Sequence, residues 1–225
     1  MSPATFHNRR HAGKVLAAKL ARYQGQPDLL VLALPRGGVP VGFEVAQSLG
    51  APLDIFLVRK LGYPGQEEVA IGAIASGGVQ VMNSTHSGIS PQAIAIAVAR
   101  EQGELDRRER LYRGDLPSIP IEGRNVIVVD DGLATGASMQ AALTGLLQKR
   151  PAQLVVAVPV GAKATCRALS AQADEVVCAL MPRPLRSVGQ WYEDFTQVSD
   201  EVVCALLKEA RHEHAQLLRG QLEDT

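Results

Sequence analysis

Val126-Ile127-Val128-Val129-Asp130-Asp131-Gly132-Leu133-Ala134-Thr135-Gly136-Ala137-Ser138 is the stretch on which the fold turns. Its first four residues are β-branched and apolar, which suits a strand buried on both faces in a parallel sheet. Residues 137–148 carry apolar and small side chains at helical spacing, so the whole reads as strand, loop, helix. Two carboxylates stand at the strand exit. Behind them, loop N–H groups and a helix N-terminus can point at a dianion, with the Thr135 and Ser138 hydroxyls as further donors. Gly136 removes a Cβ that would block approach. Asp130 and Asp131 are acceptors only when ionised; they repel a phosphate but accept hydrogen bonds from vicinal hydroxyls. A ribose 5-phosphate meets both requirements.

Segments on either side alternate in the same way. Residues 6–23 read as an amphipathic helix, with Val15, Leu16 and Leu20 on one side and Arg9, Arg10, Lys14 and Lys19 elsewhere. A buried strand over 29–34 stops at Pro35, and a helix over 39–49 tolerates Pro40 in its first turn and ends at Gly50. A second strand spans 53–58. A hairpin joins 69–74 to 79–82 through Gly77-Gly78. A long helix over 90–112 leads through residues 117–120 to the opening stretch. Strands at 154–158 and 175–180 follow, with a helix at 162–169 between them and a last helix over 200–218.

This alternation predicts the α/β class: a mostly parallel twisted sheet with helices on both faces and ligands at the carboxyl ends of the strands. One domain is expected over residues 1–225, with its core at about 29–180, a flap and helical insertion at about 61–120, and a small C-terminal hood at about 181–198. Other strand-acid folds fit less well. A two-component receiver wants its acid pair near the start of the domain and an Asp after a later strand, whereas Asp174 precedes its apolar run. The Gly-Lys-Ser/Thr of a Walker loop and the Gly-x-Gly-x-x-Gly of a dinucleotide fold are missing.

Composition narrows the partners. At 225 residues with 46% hydrophobic and 20% charged content, the chain can bury a full core. Its formal net charge of zero argues against nucleic acid, which requires many phosphates to be neutralised. No apolar run approaches the roughly 20 residues of a membrane span, and residues 1–10 lack a signal-peptide core. No membrane partner and a cytoplasmic location are therefore expected. Cys166, Cys178 and Cys204 are widely separated among apolar neighbours and read as packing residues, without zinc-site spacing. His7 and His11 share a helical face, His212 and His214 point apart, and all four read as surface residues.

The opening stretch resembles the phosphoribosyl-diphosphate signature of the type I phosphoribosyltransferases: apolar strand, two acids, three variable residues, Thr-Gly, one residue, Ser or Thr. The resemblance implies that Asp130 and Asp131 hold the ribose 2- and 3-hydroxyls and serve catalysis. The 5-phosphate then lies on Gly132, Leu133, Ala134, Thr135, Gly136, Ala137 and Ser138. It further implies phosphoribosyl diphosphate as substrate, a small nitrogenous acceptor, and magnesium. The metal is expected to be held mainly by the ligand, with water-mediated help from Asp130 or Asp131, and pairing into a homodimer is expected. Hypoxanthine and guanine enzymes carry an Asp directly before the Thr-Gly; this chain has Ala134, which cannot exchange a proton, as in adenine-type enzymes.

Three further pieces complete the expected site. The turn Pro35-Arg36-Gly37-Gly38 exposes N–H groups at a helix start and adds the Arg36 charge; in the family such a loop cradles the diphosphate, often through a non-proline cis peptide. Arg59 and Lys60 are read as closing the second strand and as diphosphate-binding residues, one on each side of the pleat, with Lys60 the one expected to face the diphosphate and counted with the acids as catalytic. Residues 61–68 resemble a mobile flap that keeps water from a positively charged ribose centre, with Glu67 and Glu68 read as solvated. Past the last core strand, Arg183, Arg186, Trp191, Tyr192 and Phe195 cluster, and Trp191 and Tyr192 are candidates to contact the acceptor. Glu101, Glu104, Arg107, Arg108 and Arg110 of the insertion helix are read as a solvent face. Two rival functions share this pocket: a regulator that binds the diphosphate compound without turnover, and a nucleotide hydrolase or phosphorylase.

Overall fold

The apolar runs at 29–33 and 126–129 are buried along their whole length, and each is hydrogen-bonded to a parallel strand on both sides. A computed structural model describes residues 6–63, 66–82 and 90–223, with the backbone alone for 66–70, 81 and 221–223. The chain runs α1 (Arg9–Lys19), a 3-10 turn at Ala21–Tyr23, β1 (Leu29–Ala33), α2 (Gly38–Leu49) and β2 (Leu53–Ile55). It continues with β3 (Val58–Tyr63), β4 (Gln66–Ala75), β5 (Val79–Met82) and α3 (Pro91–Arg113). The remainder comprises β6 (Asn125–Val129), α4 (Ala137–Leu147), β7 (Gln153–Val160), α5 (Lys163–Leu169), β8 (Glu175–Leu180), a 3-10 turn at Gly189–Trp191, and α6 (Asp200–Glu223).

Five strands form one parallel sheet in the order β2-β1-β6-β7-β8, with Val31 opposite Ile127 and Ile127 opposite Val155. Alternation divides the core. Leu29, Val31, Ala33, Ile127 and Val129 pack on one face against residues of α1 and α2 such as Leu16, Val41 and Val45. Leu30, Leu32, Val126 and Val128 pack on the other against Met139, Ala142, Leu143 and Leu146 of α4. The α/β class expected from the alternating segments is therefore the one found. From β1 the chain steps to β2 on one side, and it returns as β6 on the other. That reversal of strand order opens a crevice above the carboxyl ends of β1 and β6, where open sheets bind ligands.

Four expectations need correction. The run 53–58 is not one strand: β2 ends at Ile55, and β3 begins at Val58 in a separate antiparallel sheet, β3-β4-β5. Leu57 N donates to Ser76 Oγ at 2.9 Å and Ser76 N to Leu57 O at 2.9 Å, which turns the chain out of the large sheet. The hairpin expected from residue 69 begins earlier: β4 starts at Gln66, and the flap segment 61–68 contributes strand on both sides of residues 64–65, with Leu61 opposite Gly72 and a register shift at Gly62. Residues 64–65 and the side chains of Glu67 and Glu68, read as solvated, lie outside the described residues. The helix expected from residue 6 starts at Arg9, capped by Asn8, whose Oδ1 accepts from His11 N at 3.0 Å. Phe6 instead bridges to Tyr192.

The fourth correction concerns the charged face of α3. Glu101 is buried and accepts from Arg59, whereas Glu104 pairs with Arg107 and Arg108 in the same helix. Those two arginines hold the Glu104 carboxyl down to about 2. The hairpin turn at Gly77-Gly78 is present, both residues having positive φ. No described helix is long and apolar enough to cross a membrane.

Candidate active site

Two neighbouring strands deliver two glycine-bearing loops to the same crevice. After β1, the turn 34–37 contains a cis peptide between Pro35 and Arg36 and hands the chain to α2, with Gly38 N donating to Leu34 O at 3.0 Å. After β6 come Asp130 and Asp131. The loops touch so closely that a Cβ on Gly37 would overlap Asp131 Oδ2, and one on Gly38 would stand 2.7 Å from Val129 O. Only glycine permits this approach.

The loop from Gly132 to Ser138 is fixed from behind. Leu133 N donates to Val160 O at 2.9 Å, Ala162 N to Leu133 O at 2.9 Å, and Thr165 Oγ1 to Ala134 O at 2.7 Å. Gly136 turns into α4 with φ of 75°, a left-handed conformation, so the first N–H groups of α4 emerge beside the loop. Asp130, Gly132, Leu133, Ala134, Thr135, Gly136, Ala137, Ser138 and Lys60 line a common cavity of about 150 Å³, closed on one side by Val188. A larger cavity of about 590 Å³ between α2 and α6 is mostly apolar and shares no lining residue with either glycine loop.

Lys60 reaches this cavity from β3, where it pairs with Ala73 and its side chain is exposed. Arg59, one residue earlier, points to the opposite side of the pleat and donates to Glu101 Oε2 through Nε at 2.9 Å and Nη2 at 2.6 Å. The structure therefore separates the two basic residues, and Arg59 belongs to the packing of α3. Arg36 lies half-buried, with Nη1 3.9 Å from Asp200 Oδ1. Asp200 also accepts the Tyr112 hydroxyl at 2.5 Å.

Electrostatics sets the acids apart from ordinary surface carboxylates. Desolvation, and then the adjacent Asp131 charge, raise Asp130 well above the usual carboxylate range. Desolvation also raises Asp131, and a hydrogen bond from Arg9 pulls it back. Arg9 is a neighbour of the acids that the sequence does not announce. Its Nε donates to Asp131 Oδ2 at 2.8 Å and its Nη1 to Thr196 O at 2.8 Å, while the guanidinium lies 3.9 Å from the Phe195 ring centroid. A helical wheel assigns Arg9 only to a polar side; no local signal says that the start of α1 docks over the acids.

Trp191 and Tyr192 depart from the expected acceptor contact. They are 9% and 6% exposed and pack with Phe6 and Val160. The Tyr192 ring is flanked by Phe6 and Phe195, and its hydroxyl donates to Asp131 O at 2.6 Å. These aromatics support the acid loop instead of offering open faces. Phe6 N donates to Trp191 O at 2.8 Å, and Glu193 N to Phe6 O at 2.9 Å, tying the N-terminal segment to the turn at 189–191. His7 pairs with Glu193 at the surface, and His214 is half-buried beside α2. Cys166 is buried and Cys178 and Cys204 partly so, and all three are free thiols.

The model of the phosphoribosyl transferase domain matches residues 5–183. The chain belongs to this family. Among curated phosphoribosyl transferase relatives, proteins of Mycobacterium tuberculosis strains CDC 1551 and H37Rv, each named "Putative phosphoribosyl transferase", are 45% identical over 214 residues. The match covers 94% of this chain and 48% of theirs, so the chain spans about half the length of these relatives. The crystal structure of TT1426 from Thermus thermophilus superposes with a TM-score of 0.81 at 45% identity, covering 91% of this phosphoribosyl transferase chain and 98% of that one.

Proposed function

We propose that the protein transfers the 5-phosphoribosyl group of phosphoribosyl diphosphate to a nitrogenous acceptor, a nucleobase or related amine, and releases diphosphate. The observation that carries this reading is the contact of the glycine turn after β1 with the acid pair after β6, at the point where the sheet reverses its strand order. That crevice brings anion donors, hydroxyl acceptors and Lys60 within the span of one small ligand. Asp130 and Asp131 accept the ribose hydroxyls, and residues 132–138 take the 5-phosphate through N–H groups and the Thr135 and Ser138 hydroxyls. Arg36, Gly37, Gly38 and Lys60 take the diphosphate; Arg59, engaged with Glu101, is not among them.

Displacement at C1 builds positive charge on the ribose while the C1–O bond to diphosphate breaks and the acceptor nitrogen bonds in its place. The residues around the crevice act by position and charge, with N–H donors and Lys60 stabilising the leaving oxygens. The donor set of the two acids would fit magnesium, a hard cation that takes oxygen ligands. Arg9 takes one oxygen of Asp131 and Asp131 N takes one of Asp130, which leaves each acid an oxygen without a side-chain donor among the described residues. Bound with the diphosphate, the cation would be held by Asp130 or Asp131 through water and would supply positive charge against the leaving group. Among the described residues no group of three or more acidic, His or Cys side chains forms a dedicated cage.

The test is to incubate the protein with magnesium, phosphoribosyl diphosphate and pooled nucleobases and amines, and to search for a ribosyl phosphate adduct by mass spectrometry. Base-dependent diphosphate release is expected, with Asp131→Asn reducing it; unchanged turnover in that variant counts against the assignment. A second reading, binding without turnover, draws support from the exposed Ala134, which supplies no proton, and from the burial of Trp191 and Tyr192. It predicts tight binding and no released diphosphate, whereas release without a base marks hydrolysis.

A further inference from the structure

We infer that Arg9 is a positioning residue of the ribose site, so that the N-terminal helix completes the crevice by holding Asp131 in the orientation that accepts a sugar hydroxyl. This rests on the functional reading above and deepens it. The pair is well enclosed, the two side chains being 11% and 16% exposed. Each half of Asp131 is held from outside the acid loop: Arg9 of α1 takes Oδ2, and Tyr192 takes the backbone carbonyl. Arg9 in turn is fixed by the Thr196 carbonyl and the Phe195 ring, and its Nε lies 3.3 Å from where a Gly37 Cβ would stand. One guanidinium thus meets the acid loop, the glycine turn and the segment at 195–196 at a single point.

A free carboxylate rotates about two side-chain bonds, and only some of its rotamers place an oxygen toward the sugar. A planar guanidinium that donates to one carboxylate oxygen and to a fixed carbonyl removes that freedom before the ligand arrives, and leaves Oδ1 for a hydroxyl. Asp130 has no such side-chain partner among the described residues; its Oδ1 accepts only from Asp131 N at 2.8 Å. The two acids are therefore prepared differently, and Arg9 acts through Asp131.

The test is a double-mutant cycle on ribose 5-phosphate binding, read by calorimetry with wild type, Arg9→Met, Asp131→Asn and the double variant. Methionine keeps an apolar stem against Phe195 and removes the donors. Arg9→Met should weaken binding by about 10- to 100-fold, as loss of hydrogen bonds to a charged group does. In the Asp131→Asn background the same change should add almost nothing, because the effect passes through that carboxylate. A purely structural role would make the two losses multiply, and this outcome, or equal binding by wild type and Arg9→Met, overturns the inference alone. If Arg9→Met fails to fold by circular dichroism, Arg9→Lys supplies the cycle, keeping the charge without the planar fork. Wild type that binds no ribose 5-phosphate overturns the functional reading itself.

Discussion

The two glycine loops and the segment that backs them work by opposite means. In the loops at 34–38 and 130–138, glycines stand where the chains meet, so contact between the loops depends on missing Cβ atoms. At residues 6–9 and 189–196 the side chains are large, and Arg9, Phe6, Tyr192 and Phe195 form a packed brace behind the acid pair. The crevice is made by subtraction in front and by mass behind. Substitutions in front should act on ligand binding first, and those behind on stability as well.

The sharpest break is Gly37→Ala. A methyl group there overlaps Asp131 Oδ2, so the loops must part; a displacement of about 1 Å costs on the order of 100-fold in a positioned site. Titration with ribose 5-phosphate checks it, and retained affinity would show that the loops need not touch. Behind the acids, Tyr192→Phe keeps the ring and removes one donor. It leaves the half-buried Asp131 carbonyl short of a partner, a cost of about 1 kcal/mol, visible as a lower urea midpoint together with weaker binding.

A third test uses the charge of the acids in the metal-free, empty protein. Both carboxyls titrate above their ordinary range, chiefly through desolvation. The folded state then holds protons more tightly than the unfolded chain, so this contribution favours folding at acid pH and is lost as pH rises through the raised values. Asp130→Asn removes the titration. Its melting temperature at neutral pH should exceed wild type by about 2–4 °C, the equivalent of ~1 kcal/mol in a chain of this size, and the gap should close toward the ordinary carboxylate pKa of about 4. Melting curves across that range decide it; a constant gap would mean that charge is not the cause. The smallest effect belongs to Arg59→Gln, because Glu101 keeps Arg100 as a partner at 3.0 Å. Stability should fall by about 1 kcal/mol or less with ligand affinity unchanged, whereas Lys60→Ala should do the reverse.

The front of the crevice was legible because its determinants are local: an apolar run, two acids and a glycine-bearing turn lie within thirteen consecutive residues. The turn after β1 was legible for the same reason. The back was not, because Arg9 meets Asp131 across 122 positions of chain, and helical periodicity says which side of α1 is polar without saying what that side faces. Trp191 and Tyr192 were singled out by residue type, which marks recognition surfaces and packed cores equally; burial separates the two. The run 53–58 is strand-like throughout, and its division between two sheets depends on Ser76, nineteen positions from Leu57.

That division has a consequence for how a ligand would be held. Lys60 stands on the three-stranded sheet, which shares no ladder with the five-stranded one and packs against α3 and α4. A shift of the smaller sheet would move the lysine relative to the loop at 132–138 while leaving every strand pairing of the larger sheet intact. The crevice is framed by the paired strands β1 and β6, whereas the lysine faces it from a strand outside that pairing.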